Sequence, residues 1–96
     1  MPFILKHKPT SEVFTCHLIN NYQIPFFGTK FWDQRYEAEQ EFVTFLEAHQ
    51  VIRTDEWELI EVDEHQLKLF NVKLGNNPAK TLFLDENGKT TIKVTE

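Results

Sequence analysis

Folding Phe3–His7 back on Glu12–Leu18 sorts the first residues of the chain into two phases. Phe3, Leu5, Phe14, Cys16 and Leu18 then share one face, and Ile4, Lys6, Val13, Thr15 and His17 share the other. Lys8-Pro9-Thr10-Ser11 supplies the turn, because proline presets the backbone of a type I or II turn. The register that keeps the faces apart sets Leu5 opposite Phe14, Phe3 opposite Cys16 and His7 opposite Glu12, whereas a slip of one residue mixes them. The pattern predicts an N-terminal β-hairpin with Cys16 turned to the core.

Asn20-Asn21 interrupts the alternation. Tyr22–Gly28 then reads as an extended or edge segment, since Pro25 has no N–H to give a central ladder. Ala38, Phe42, Phe45, Leu46 and His49 recur at i, i+4, i+7, i+8 and i+11, with Glu37, Glu39, Glu41, Thr44 and Glu47 elsewhere on the cylinder. This predicts an amphipathic helix over 34–49 with Asp33 as N-cap and acids at the positive end of its dipole. Trp57–Val62 reads as a strand whose apolar phase shifts between Leu59 and Ile60, the mark of a bulge or of a strand covered on both faces. Asp63-Glu64-His65-Gln66 resembles a capping box ahead of Leu67 and Phe70, so a short helix over 64–70 is expected over the strand that Lys68, Phe70, Val72 and Leu74 would also permit. Gly75–Pro78 is a loop. Thr81–Asp85 and Thr90–Val94 flank Asn87-Gly88 and predict a hairpin closed by a type I′ turn.

These elements suit α+β architecture: one domain over 1–96, a mostly antiparallel sheet with hairpins at both ends, and one main amphipathic helix packed on one face. The 96 residues leave no room for a second core, and 41% hydrophobic with 14% aromatic residues suffices to fold one.

Cys16 is the lone cysteine, so no intrachain disulfide forms, and no stretch reaches the roughly 20 apolar residues of a membrane span or carries a basic start ahead of an apolar run. The expectation is a cytoplasmic protein that does not engage a membrane. Net charge is −5, unevenly spread: residues 33–64 hold eleven acids against Arg35 and Arg53, a net −9, while the rest of the chain carries +4. A reader of nucleic-acid phosphates needs a basic stripe, so direct nucleic-acid binding is not expected.

Catalytic spacing is sparse. Cys16 and His17 are strand neighbours whose side chains point to opposite faces, which separates a thiol from a base. His7, His17, His49 and His65 show no metal-ligand spacing, and the isolated Gly28, Gly75 and Gly88 form no phosphate-cradling loop. Glu61, Asp63 and Glu64 are close enough in sequence for acid–base work but read as acids on a solvated strand end. No cofactor, metal or catalytic residue is called for.

Two features stand out. Tyr22, Phe26, Phe27, Phe31, Trp32 and Tyr36 place six rings within fifteen residues, to be buried as core or exposed as partner anchors. The acidic helix face is either a solvating surface or a steering surface for a basic partner. The leading expectation is a small acidic protein-binding or regulatory module without catalysis, contacting its partner through Phe27, Trp32, Tyr36, Glu37 and Glu41. A small-ligand domain or minor enzyme with a pocket between helix and sheet, using Cys16 or a histidine, is the second reading. A homodimer through an unpaired strand edge of either terminal hairpin is the third.

Overall fold

Both faces of strand β1 (Phe3–His7) are buried, and the rest of the chain is arranged around it. The computed structural model describes residues 1–95. Phe3 and Leu5 belong to one buried cluster, with Trp32, Ala38 and Leu46; Ile4 belongs to a second, with Val13, Leu67, Phe70, Leu74, Leu82 and Leu84. A strand buried on both faces must be covered twice. Helix α1 (Arg35–Ala48) covers one face, and helix α2 (Glu64–Leu74) with the C-terminal hairpin covers the other. The expected α+β architecture is present, with the shorter helix expected at 64–70 lying across the sheet from α1.

Among the described residues all strand pairs are antiparallel, but they form three sheets rather than one: β4 (Phe31–Trp32) with β1 and β5 (Trp57–Glu61), β2 (Thr15–Ile19) with β3 (Pro25–Thr29), and β6 (Lys80–Leu84) with β7 (Thr90–Val94). β5 (Trp57–Glu61) runs the full length of β1. Trp57 and Leu59 pack on the α1 side and Ile60 on the α2 side, so the phase shift read in the sequence marks a strand covered on both faces. The other edge of β1 is shared. Phe3 and Ile4 pair with Trp32 and Phe31 of β4 (Phe31–Trp32), and Lys6 pairs with Val13.

The N-terminal hairpin is therefore half right. Its turn and inner register hold: Ser11 N donates to His7 O at 2.8 Å, His7 N to Glu12 O at 2.7 Å and Phe14 N to Leu5 O at 2.9 Å. Beyond Phe14 the pairing stops, because β4 already occupies the place opposite Phe3. Cys16 instead faces Gly28 in the β2 (Thr15–Ile19) and β3 (Pro25–Thr29) hairpin, half-buried and outside either core cluster. Residues 11–14 bridge β1 to β6 (Lys80–Leu84), through Val13 N to Leu82 O and Leu84 N to Ser11 O, both 2.9 Å.

α1 buries Ala38 and Leu46, with Phe42 and Phe45 packed beside them, as its stripe requires. Its N-cap is Gln34 rather than Asp33 and makes no side-chain cap bond. α2 opens with the predicted capping box: Asp63 Oδ1 accepts from Gln66 N at 2.6 Å and Gln66 Oε1 from Asp63 N at 3.0 Å. The helix runs four residues past 70, since Leu74 falls one turn after Phe70 on the buried face, and Gly75 ends it at φ +57°.

β6 and β7 (Thr90–Val94) form the expected hairpin, with Leu84 opposite Thr90. The loop has three residues, not two. Gly88 has φ +81° while Asn87 has a negative φ, so this is a type I turn closed by a left-handed glycine rather than type I′. Asp85 Oδ1 holds it by accepting from Asn87 N at 2.9 Å and Lys89 N at 2.8 Å.

Candidate functional site

α1 leaves one stripe to solvent that its core does not need. Tyr36, Glu39, Gln40, Val43 and Glu47 are all exposed and fall at i, i+3, i+4, i+7 and i+11, so they share the outer face of the helix. Tyr36 is 64% exposed. Glu41 is exposed at the margin of this face and Glu37 is half-buried in the first turn. None of Glu37, Glu39, Glu41 and Glu47 enters an ion pair among the described residues; the pairs found join His7 to Glu56 and Arg53 to Asp55 and Glu56.

Of the five side chains expected at a partner surface, two are not available to one. Phe27 is 9% exposed and lies in the α2-side core, its ring edge-on to His17 at 5.4 Å. Trp32 is 6% exposed because β4 lies in the sheet beside β1. Burial in the core consumed both rings. Trp32 still touches the surface through its polar edge, where Nε1 donates to Glu41 Oε1 at 3.3 Å. The fold thus brings Trp32 and Glu41 together, leaves Tyr36 and Glu37 on the neighbouring turn, and puts Phe27 on the far side of β1 from α1.

Beside Glu41 lies a cleft of about 370 Å³ between β4 and α1, lined by Lys30, Trp32, Gln40, Glu41, Thr44 and Phe45. Lys30 Nζ sits 4.7 Å from the Trp32 ring centroid and 4.9 Å from that of Phe45, a cation over two aromatic faces. Sequence reasoning passed over Lys30. Its only signal was a lone cation set among Phe26, Phe27, Phe31 and Trp32. The same lysine also borders a second cleft of about 380 Å³, with Leu18, Ile19, Asn20, Phe26 and Phe31, at the β2–β3 hairpin. That hairpin carries exposed Ile19, Tyr22 and Ile24.

Cys16 is half-buried, and His7 and His49 are held by hydrogen bonds. Burial pushes the Cys16 thiol above its ordinary pKa, and Lys30 only partly offsets this. His7 Nδ1 lies 2.8 Å from Thr10 Oγ1 and its Nε2 lies 3.1 Å from Glu56 Oε1, with the ring against Trp57 at 4.9 Å. His49 is the C-cap of α1, its Nδ1 donating to Phe45 O at 3.0 Å. Among the described residues no three His, Cys, Asp or Glu side chains are grouped to hold a metal ion, and no helix is long and apolar enough to cross a membrane. The chain matches no protein-family model, and no curated protein and no solved structure resembles it significantly.

Proposed function

We propose that this chain is a non-catalytic protein-binding module of a reducing, cytoplasmic compartment, engaging a partner with a basic surface through the outer face of α1. The observation that carries this reading is the exposed stripe on which Tyr36 and Val43 alternate with Glu39 and Glu47, while Glu37 and Glu41 lie beside it and no basic side chain of the chain pairs with any of the four acids among the described residues. Unpaired acids around an exposed aromatic ring supply both long-range steering and a short-range anchor. Lysines and arginines on the partner would satisfy the acids, and an apolar contact would cover Tyr36.

The test is affinity capture from lysate of the source organism with wild-type protein, with Glu37→Lys plus Glu41→Lys, and with Tyr36→Ala, each washed at low and at high salt. A discrete partner that is released by salt and absent from the charge-reversed protein is the expected result. Capture that the charge reversal leaves unchanged would refute the electrostatic interface, and capture indifferent to Tyr36→Ala would remove the anchor.

A further inference from the structure

The two edges of the β2–β3 hairpin are covered unequally. Asn20 N donates to Ile24 O and Lys30 N to Phe14 O, both at 3.1 Å, so Phe14, Cys16, Leu18 and Asn20 are the residues that bond across to β3 and its flanks. The N–H and C=O groups of Thr15, His17 and Ile19 therefore point to the opposite edge. On the β3 side, the outward N–H groups of Phe27 and Thr29 are taken up by Asn76 and Asn71. On the β2 side, no backbone or side-chain group bonds Thr15, His17 or Ile19 among the described residues, and His17 and Ile19 are exposed.

Free strand edges are normally blunted by charge, proline or a bulge. β5 and β7 also have an edge that no described strand covers, but β5 carries Glu58 and Glu61 and β7 carries Lys93, so either strand brings like charges into one interface when it meets its own copy. β2 reads Thr-Cys-His-Leu-Ile, with no carboxylate, lysine, arginine or proline. Residues 13–32 hold no acid and one cation, Lys30, in a chain of net charge −5. Two copies can meet here without the repulsion their acidic faces impose.

We propose that β2 pairs antiparallel with β2 of a second copy about a two-fold axis at His17, joining two hairpins into one four-stranded sheet. Thr15 then lies opposite Ile19 of the second copy and His17 opposite its own counterpart, each pair exchanging both N–H···O bonds. Cys16 and Leu18 meet on one face, and Ile19, 66% exposed in the single chain, is covered. An axis one residue away sets Ile19 against Val13, whose N–H already goes to Leu82 O, or Thr15 against Asn21, beyond the end of the strand. This surface is separate from the outer face of α1, and the purified chain tests it without any other partner, so either reading can fail alone.

Sedimentation equilibrium of the full chain over a range of concentrations tests this. The mass should rise from that of one chain, 11.4 kDa, to twice that value and stop there. His17→Lys sets two ammonium groups face to face at the axis and should hold the protein at the single-chain mass, whereas Thr91→Lys, exposed on β7, should leave dimerisation unchanged. Should His17→Lys fail to fold through loss of the ring contact with Phe27, cysteine cross-linking decides. In a Cys16→Ser background, the Thr15→Cys and Ile19→Cys proteins should link to each other under mild oxidation, their Cα atoms about 5.5 Å apart and within disulfide reach. Neither should link to itself, because like residues of the two copies are four strand positions, about 13 Å, apart. A single-chain mass up to about 1 mM, growth beyond two chains, dimerisation that survives His17→Lys but not Thr91→Lys, or self-linking of either cysteine variant would each overturn the proposal.

Discussion

The side-chain oxygen of Asn71, on α2, accepts the backbone N–H of Thr29 at 2.9 Å, so a helix side chain completes the outer edge of β3. Asn76 Oδ1 does the same for Phe27 N at 2.6 Å. Successive N–H groups of a strand point to opposite edges, and among the described residues β3 pairs with β2 alone, so these two face an edge that no strand covers. An uncovered edge is a template for pairing with another chain, and here it is closed from within.

Asn71→Ala leaves Thr29 N–H buried without its acceptor, at a cost of about 1–3 kcal/mol. Gly28 sharpens the point: a Cβ there would lie 2.8 Å from Phe26 Cε2 and 3.0 Å from Asn71 Oδ1, so Gly28→Ala should disturb the same bond. Urea denaturation of the two single variants and the double variant checks this. Coupled, less-than-additive losses are expected, and full additivity would show that the two sites act separately.

Thr29 carries a second consequence. The residue is fully buried, and its Oγ1 has no hydrogen-bond partner among the described residues. Thr29→Val replaces that hydroxyl with a methyl of similar size and keeps a β-branched strand residue. The expected effect is a gain of about 1 kcal/mol, read as a rise of roughly 4–8 °C in Tm for a domain of this size. A lowered Tm would show that the hydroxyl is engaged.

What the sequence made legible is what local periodicity encodes. The stripe Ala38, Phe42, Phe45 and Leu46 set α1, and the Asp63–Gln66 reciprocal cap set the start of α2, because both depend on residues three or four apart. The turns before Glu12 and around Gly88 were legible for the same reason, up to the turn type. The partners of β1 were not. Whether Phe3 faces Cys16 or Trp32 depends on which distant strand arrives, and no short-range pattern distinguishes them. The same non-local choice buried Phe27 and Trp32 and left Tyr36 outside. It also brought Lys6 together with Glu86 in one cleft and Lys30 over Trp32 and Phe45, pairings that alternation within a single strand could not announce.

Glu12 gives stability a pH dependence of defined sign. Burial raises its pKa above the ordinary 4.5, and the nearby His7 charge offsets part of the shift. The folded state therefore holds this proton more tightly than the unfolded chain. The stabilising contribution is complete below the ordinary value and is lost as pH rises through the folded one. Glu12→Gln stays neutral throughout, so the variant should match wild type at about pH 3 and exceed it increasingly toward about pH 7. Denaturant midpoints across that range measure the difference. An advantage confined to acid would reverse the sign and refute the burial argument.

Cys16 tests the reactive-thiol reading directly. The thiolate is the nucleophile, so a thiol whose pKa is raised by burial reacts slowly at neutral pH. Linkage has the same sign as for Glu12: stability is whole below the ordinary thiol pKa of 9.0 and falls as pH rises through the folded value. Alkylation of the native protein at pH 7 should run at least roughly tenfold slower than in denaturant. Lys30→Met removes the one charge that favours the thiolate, and should slow the native reaction further without altering the denatured rate. Native labelling as fast as denatured labelling would restore Cys16 as a nucleophile. A faster reaction in Lys30→Met would instead show that the lysine, lying over Trp32 and Phe45, limits access to the thiol.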